Sequence, residues 1–159
     1  MPTIWTIGYE RLLPAELVAE LQAAGVERLI DVRFRPQSRR PGMSKTRLGE
    51  LLSDHGIAYE HRKALGTPPD IRWLYKHNRV PQGAAQFREH VESTAAHELD
   101  ELARGFRPPG EHPQGNLAPW ASVPRTALMC LEADPAVCHR RTLTEALRAR
   151  VPKLTVIDL

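Results

Sequence analysis

The chain has 159 residues, of which 42% are hydrophobic and 26% charged, with a formal net charge of +3. That length fits one domain that buries its own core without staples, and the composition excludes collagenous, disordered and disulfide-scaffold classes. The longest apolar runs, such as Thr126 to Leu131, are of strand length and fall far short of the roughly 20 residues of a membrane helix.

Thr3 to Ile7 reads as a short strand. Pro14 suits the first turn of a helix whose apolar face is Leu17, Val18, Leu21 and Ala24, and Gly25 stops it. Arg28 to Val32 is the next strand, and Arg33 to Met43 is a loop punctuated by Pro36, Pro41 and Gly42. Ser44 is the expected N-cap of a helix carrying Leu48, Leu51 and Leu52, ended by Gly56. Ile57 to His61 is a third strand. Arg62 to Pro81 is a long connection with one helical turn around Ile71 to Tyr75. Gln82 to Arg104 is predicted as one helix, and Gly105 to Pro124 as a loop rich in Pro and Gly. Arg125 to Leu131 is a buried-type strand. Asp134 and Pro135 are expected to open the last main helix, and Leu154 to Ile157 closes the chain as a strand.

Strands alternating with helices predict an α/β fold. The expectation is a single three-layer domain over residues 1–159, with a mostly parallel sheet of about five strands and helices on both faces. The long polar loops follow strands, whereas the turns after helices, at Gly25 and Gly56, are tight. In open α/β sheets ligands bind outside the carboxyl ends of the strands, so the site is expected there.

Charge supports the same edge. From Val32 to Gly49 there are six basic residues and no acidic one. Arg62, Lys63, Arg72, Lys76 and Arg79 follow against Asp70 alone, and Glu89, Glu92, Glu98, Asp100 and Glu101 lie on the later helix. A basic face opposite an acidic one points to an anionic partner. The opening residues show no basic n-region or cleavage site, and two cysteines make no secreted framework. A cytoplasmic protein is therefore expected, with Cys130 and Cys138 close together, reduced and unbridged.

Four strand ends carry the candidate residues. Cys130 ends a strand and Glu132 sits at the turn. His139 and Arg140 share a helical phase with Leu143, Ala146 and Leu147 and should face the sheet, with Cys138 nearer solvent. Asp31 ends an interior strand, where a carboxylate needs a partner such as Arg33 or Arg140. Arg33, Arg35, Ser38 and Arg39 follow it. Gly8 would let backbone approach a ligand closely, with Tyr9 beside it, and Tyr59 and His61 end the third strand.

Three chemistries compete for this set. Zinc would use Cys130, Cys138 and His139, but Cys-x7-Cys-His is not a familiar ligand spacing and no second pair exists, so no metal is expected. A thiol enzyme would use Cys130 or Cys138, activated by a helix N-terminus and arginines. Phosphate binding would be electrostatic, through the arginines, with a carboxylate such as Asp31 or Glu132 as acid or base. No P-loop, dinucleotide fingerprint, zincin or nucleophile-elbow pattern occurs.

Four ordered motifs carry a resemblance: Thr6-Ile-Gly-Tyr9, Asp31-Val-Arg-Phe-Arg-Pro-Gln-Ser-Arg-Arg-Pro-Gly-Met43, Tyr59-Glu-His-Arg-Lys-Ala-Leu-Gly66, and the segment from Cys130 to Arg140. Together they resemble a bacterial and archaeal family, domain of unknown function family 488. Tyr9 stands where many relatives have His, Met43 where an aromatic is usual, and Thr67 where a second Gly is common. The resemblance implies an α/β fold and a motif set, and no activity.

The reading that follows is a nucleotide- or nucleic-acid-directed protein with no cofactor. It would bind phosphate through a basic cleft of Arg33, Arg35, Arg39 and Arg140, with Asp31, Glu132, His139 and Cys130 nearest any chemistry. Gly8, Tyr9, Ser38, Tyr59, His61 and Cys138 would complete the ligand contacts. The alternatives are a thiol enzyme and a non-catalytic anion-binding module. Partners are phosphorylated small molecules or nucleic acid, and no membrane. Catalysis itself, strand order and oligomeric state stay open.

Overall fold

β-rich apolar segments and amphipathic helices alternate along the chain, and the computed structural model, which describes residues 2–106 and 124–159, assembles them in three layers. The strands are β1 (Thr3–Gly8), β2 (Arg28–Asp31), β3 (Ala58–His61), β4 (Thr126–Cys130) and β5 (Thr155–Asp158). They form one sheet in the order β3-β2-β4-β1-β5, with every pairing parallel. β4 is central and all five of its residues are buried. A strand covered on both faces has no solvent side, which is why its sequence is a continuous apolar run rather than an alternation.

Helices α1 (Pro14–Ala23) and α2 (Lys45–Asp54) cover one face. There Leu17, Leu21, Leu48 and Leu52 meet Trp5, Leu29, Ala127 and Met129. Helices α4 (Val80–Thr94), α5 (Ala96–Arg104) and α6 (Arg140–Arg150) lie on the other. Phe87, Val91, Leu99 and Leu147 there meet Ile4, Ile30 and Leu128. Successive strand residues thus feed opposite cores, as the pleat requires. Gly25 and Gly56 adopt φ of +69° and +73° just past α1 and α2, the left-handed turn that ends a helix at least cost for glycine.

Four expectations need correction. α3 (Pro69–Lys76) is a full helix rather than one turn, with a short 3-10 turn, Lys63–Leu65, before it. The helix expected over 82–104 is two, broken at Ala95, where φ is −128°. Ser93 and Thr94 hydroxyls both donate to the His90 carbonyl, a competition with the backbone ladder that accompanies the break. Asp134 and Pro135 open only a 3-10 turn, Pro135–Val137, in which Asp134 accepts from Ala136 N. The chain is extended at Cys138, and the helix proper begins after His139. Ser44 stands at the N-cap of α2, but its hydroxyl receives Ser38 N rather than capping the helix. The loop expected over 105–124 falls almost entirely outside the described residues. Among those described, no helix is long and apolar enough to cross a membrane.

Candidate functional site

At the end of β2, Asp31 is fully buried and its carboxylate accepts four hydrogen bonds. Arg33 supplies three of them: its backbone N at 3.1 Å, Nε at 2.9 Å and Nη2 at 2.7 Å. Tyr59 Oη supplies the fourth at 2.5 Å. The Arg33 Nη1 group donates onward to Tyr9 Oη and the Met43 carbonyl. Burial opposes the Arg33 charge, but the hydrogen bonds and attraction of Asp31 outweigh it and hold its pKa above the usual value. Burial, then the bond to Asp31, pushes the Tyr59 phenol up. The expected Asp31–Arg33 pairing is therefore present. Its cost to function is that Arg33 has few donors left for a ligand.

The end of β4 is built differently. Arg140 is fully buried and makes no ion pair among the described residues. Its Nη1 donates to Cys130 Sγ at 3.0 Å and to the Glu132 carbonyl, Nη2 to the Ala133 carbonyl and Nε to Thr6 Oγ1. Burial pushes its pKa down, against the pull of Asp158 and Glu132. Arg140 thus holds the turn after β4 from inside and offers no free fork to phosphate. Gly8 belongs to the same junction. A Cβ there would overlap the Glu132 carbonyl, so its close approach is to this turn and not to a ligand.

His139 is buried, donates from Nε2 to the Val32 carbonyl at 2.8 Å and meets the Phe87 ring edge-on. That bond fixes the tautomer and leaves the Nδ1 lone pair free, 3.7 Å from Cys138 Sγ. Burial lowers the His139 pKa to about 4, so the ring is neutral at pH 7. Cys138, expected near solvent, is 3% exposed. The extended residue after the 3-10 turn swings it inward, where its sulfur meets that of Cys130 as a disulfide. The pair's proximity matches the sequence; their bridging does not, and no described cysteine is free. Cys130, Cys138 and His139 present donor atoms all within 4.8 Å of one another. With the bridge reduced, these residues could hold a thiophilic metal. Glu132 Oε2 lies 3.5 Å from Cys130 Sγ.

Two clefts open at this edge. The inner one, about 30 Å³, leaves room for little more than two waters. Its walls include Tyr9, Arg33, Glu132, His139 and both cysteines. The outer one, about 460 Å³, runs between the 33–43 loop and α3. The two share Phe34, Arg35, Gln37, Thr67 and Arg72. Arg72, Trp73, Lys76 and His77 line the outer cleft from α3, and no carboxylate faces it among the described residues. Trp73 is half exposed and stacks on His77 at 4.0 Å. Tyr75 Oη, shielded beside the inner cleft, has no hydrogen-bond partner of good geometry.

Of the other expected residues, Arg35 lines both clefts. Ser38 accepts Arg40 N and is spent on the loop's own turn. Arg39 is exposed and lines neither cleft. His61 Nε2 donates to the Arg33 carbonyl at 2.7 Å, behind the site. Sequence reasoning counted Arg72 and Lys76 as basic but did not place them at the edge, and it missed Trp73 and Tyr75. The four-residue spacing of Arg72 and Lys76 on a helix longer than one turn was the signal.

Fold and edge together define a parallel α/β domain with a disulfide and a buried imidazole beside a cleft that Arg35, Arg72, Trp73, Lys76 and His77 line. The chain belongs to the family of the domain of unknown function DUF488, whose model matches residues 14–108. That match spans the basic loop and α3 but ends before β4 and the cysteines. No curated protein and no solved structure matches the chain.

Proposed function

We propose that this protein is a nucleotide- or nucleic-acid-directed enzyme that holds phosphate in the outer cleft and presents the adjoining bond to the inner one. The observation that carries the reading is the lining of the outer cleft. Arg35, Arg72 and Lys76 face it with no carboxylate among its described lining residues, and none of the three is spent in an ion pair among those residues. Unneutralised cations on a concave wall attract polyanions. Trp73 and His77 add an aromatic rim on which a base can stack. Arg35 keeps the phosphate role expected of it, while Arg72 and Lys76 replace Arg33 and Arg140, whose donors are consumed internally. Glu132, on the wall of the inner cleft, is the carboxylate best placed for proton transfer.

Titration with a nucleoside triphosphate and with single-stranded and duplex oligonucleotides tests this. Binding should fall with salt at a log–log slope of about −0.7 to −0.9 per phosphate contacted, and Arg72→Ala or Lys76→Ala should flatten that slope by about one contact each. Absence of binding to all three at ~50 mM salt ends the proposal. Binding that survives Glu132→Gln, with no turnover of any nucleotide or nucleic acid, leaves a non-catalytic module. The thiol-enzyme reading retains one supporting feature, Arg140 donating to Cys130 Sγ, a positive charge that would ease loss of the thiol proton when that sulfur reacts.

A further inference from the structure

We infer that the reduced protein binds a thiophilic divalent cation, zinc by preference, through Cys130 Sγ, Cys138 Sγ and His139 Nδ1. The three residues are buried, and their donor atoms lie within 4.8 Å of one another. Two sulfurs and one imidazole nitrogen are the donor set that favours zinc over magnesium or calcium.

The geometry supports this in three independent ways. His139 is prepared as a ligand: Nε2 is tied to the Val32 carbonyl, which leaves only Nδ1 to bind and orients it toward the sulfurs. A backbone carbonyl behind a ligating imidazole is the ordinary outer-shell arrangement. The Cα atoms of Cys130 and Cys138 are 7.6 Å apart, wider than the roughly 4.4–6.8 Å spanned by disulfides. Two sulfurs that share an ion through bonds of about 2.3 Å sit farther apart than a bridged pair, which suits the wider span. The surrounding charge also closes. A divalent ion, two thiolates, Glu132 beside Cys130 and the Arg140 guanidinium sum to zero, so Arg140, which lacks an ion pair in the described residues, becomes the outer-shell donor to the Cys130 thiolate.

Three protein donors leave one tetrahedral position, and these residues form a wall of the inner cleft. The open position therefore faces the space where a ligand carried by the outer cleft would end, the arrangement of a zinc site that keeps water or substrate as its fourth ligand. Loading proceeds in two balanced steps. A dithiol reductant transfers two electrons and two protons to the bridge and closes into its own cyclic disulfide. The cation then displaces one proton from each thiol, and none from His139, whose Nδ1 is already unprotonated.

Cobalt(II) titration of the reduced, desalted full chain under anaerobic conditions tests the site. The expected result is one cobalt per chain with intense visible bands of a tetrahedral ion and a near-ultraviolet thiolate charge-transfer band. Zinc should displace it, and calorimetry in buffers of different ionisation enthalpy should count two protons released per ion. Cys138→Ser should lose affinity by more than the roughly 10–100-fold that removal of an outer-shell partner costs, and the oxidised protein should bind none. Cys130→Ser should behave alike; if it fails to fold, Cys138→Ser decides alone, since Cys138 lies outside the sheet. A reduced protein that binds no cobalt overturns the site. So does a weak octahedral spectrum, or tetrahedral bands that survive Cys138→Ser.

Discussion

Arg33 and Arg140 are both buried at the carboxyl edge of one sheet, beyond the ends of the neighbouring strands β2 and β4, and they are satisfied in opposite ways. Arg33 has a carboxylate, Asp31, two residues back along the chain at the end of β2. Arg140 has three oxygen acceptors, the carbonyls of Glu132 and Ala133 and the Thr6 hydroxyl, together with a sulfur. The first arrangement is a closed ion pair that does not need a ligand. The second keeps a positive charge beside two sulfurs with no ion-pair partner among the described residues. The β2 end is thus a rigid prop, and the β4 end is where a negative species, thiolate or ligand, gains most.

The largest effect should come from opening the closed pair. Asp31→Ala leaves the Arg33 charge buried and unpaired and should cost about 3–5 kcal/mol in chemical denaturation. Replacing both partners, Asp31→Leu with Arg33→Met, should recover most of it, because an apolar pair of similar volume needs no desolvation. Arg140→Met should cost less than Asp31→Ala, since it strands carbonyls rather than a charge. A cost for Asp31→Ala below that of Arg140→Met would invert the contrast.

Next in size is a dependence on pH confined to the β4 end. His139 is neutral in the folded protein because burial lowers its pKa from 6.5 to about 4, aided by Arg140 and Arg72 and opposed by the Val32 carbonyl and Asp31. A folded pKa below the unfolded one means that the unfolded chain takes up the proton first. The contribution is therefore complete above about pH 6.5, falls as pH drops from there toward 4, and is level below. The loss is on the order of 3 kcal/mol, from about 1.4 kcal/mol per unit. Denaturation of the metal-free protein across that range should show it, and His139→Gln should flatten the slope.

Much of this was legible in the sequence. A carboxylate ending an interior strand demands a partner, and Asp31-Val-Arg33 supplies one at a spacing that returns to the same side of the strand. The β4 run announces a strand buried on both faces. Phase along the last helix correctly sent His139 and Arg140 inward. Cys138 was misjudged because Asp134-Pro135 reads as a helix start, and locally it is one, for a single 3-10 turn. What interrupts the turn is tertiary: the chain straightens at Cys138 and His139 reaches the Val32 carbonyl, just past the end of β2. No local signal encodes that reach. Gly8 shows the same limit. Its sequence position says that something comes close, and only the fold says that the neighbour is the Glu132 carbonyl.

The smallest stability effect should accompany a large effect on binding, and it separates the outer cleft from both buried arginines. Arg35 is exposed and makes no ion pair among the described residues, although it stands in the same loop as Arg33 and two residues beyond it. Removing its side chain uncovers no charge, no cavity and no stranded acceptor. Surface substitutions of this kind usually fall within about 0.5 kcal/mol of neutral, so Arg35→Ala should denature like the parent. If Arg35 faces an anion as the lining of both clefts implies, the same variant should weaken binding of a nucleoside triphosphate and lower its salt dependence by about one contact. Denaturation and binding measured on one preparation make the two outcomes separable. A destabilised Arg35→Ala protein would mean that the loop leans on Arg35 as the core leans on Arg33. A stable variant with unchanged binding would move the anion away from the shared wall and toward the α3 side of the cleft, where Arg72 and Lys76 would have to hold it alone.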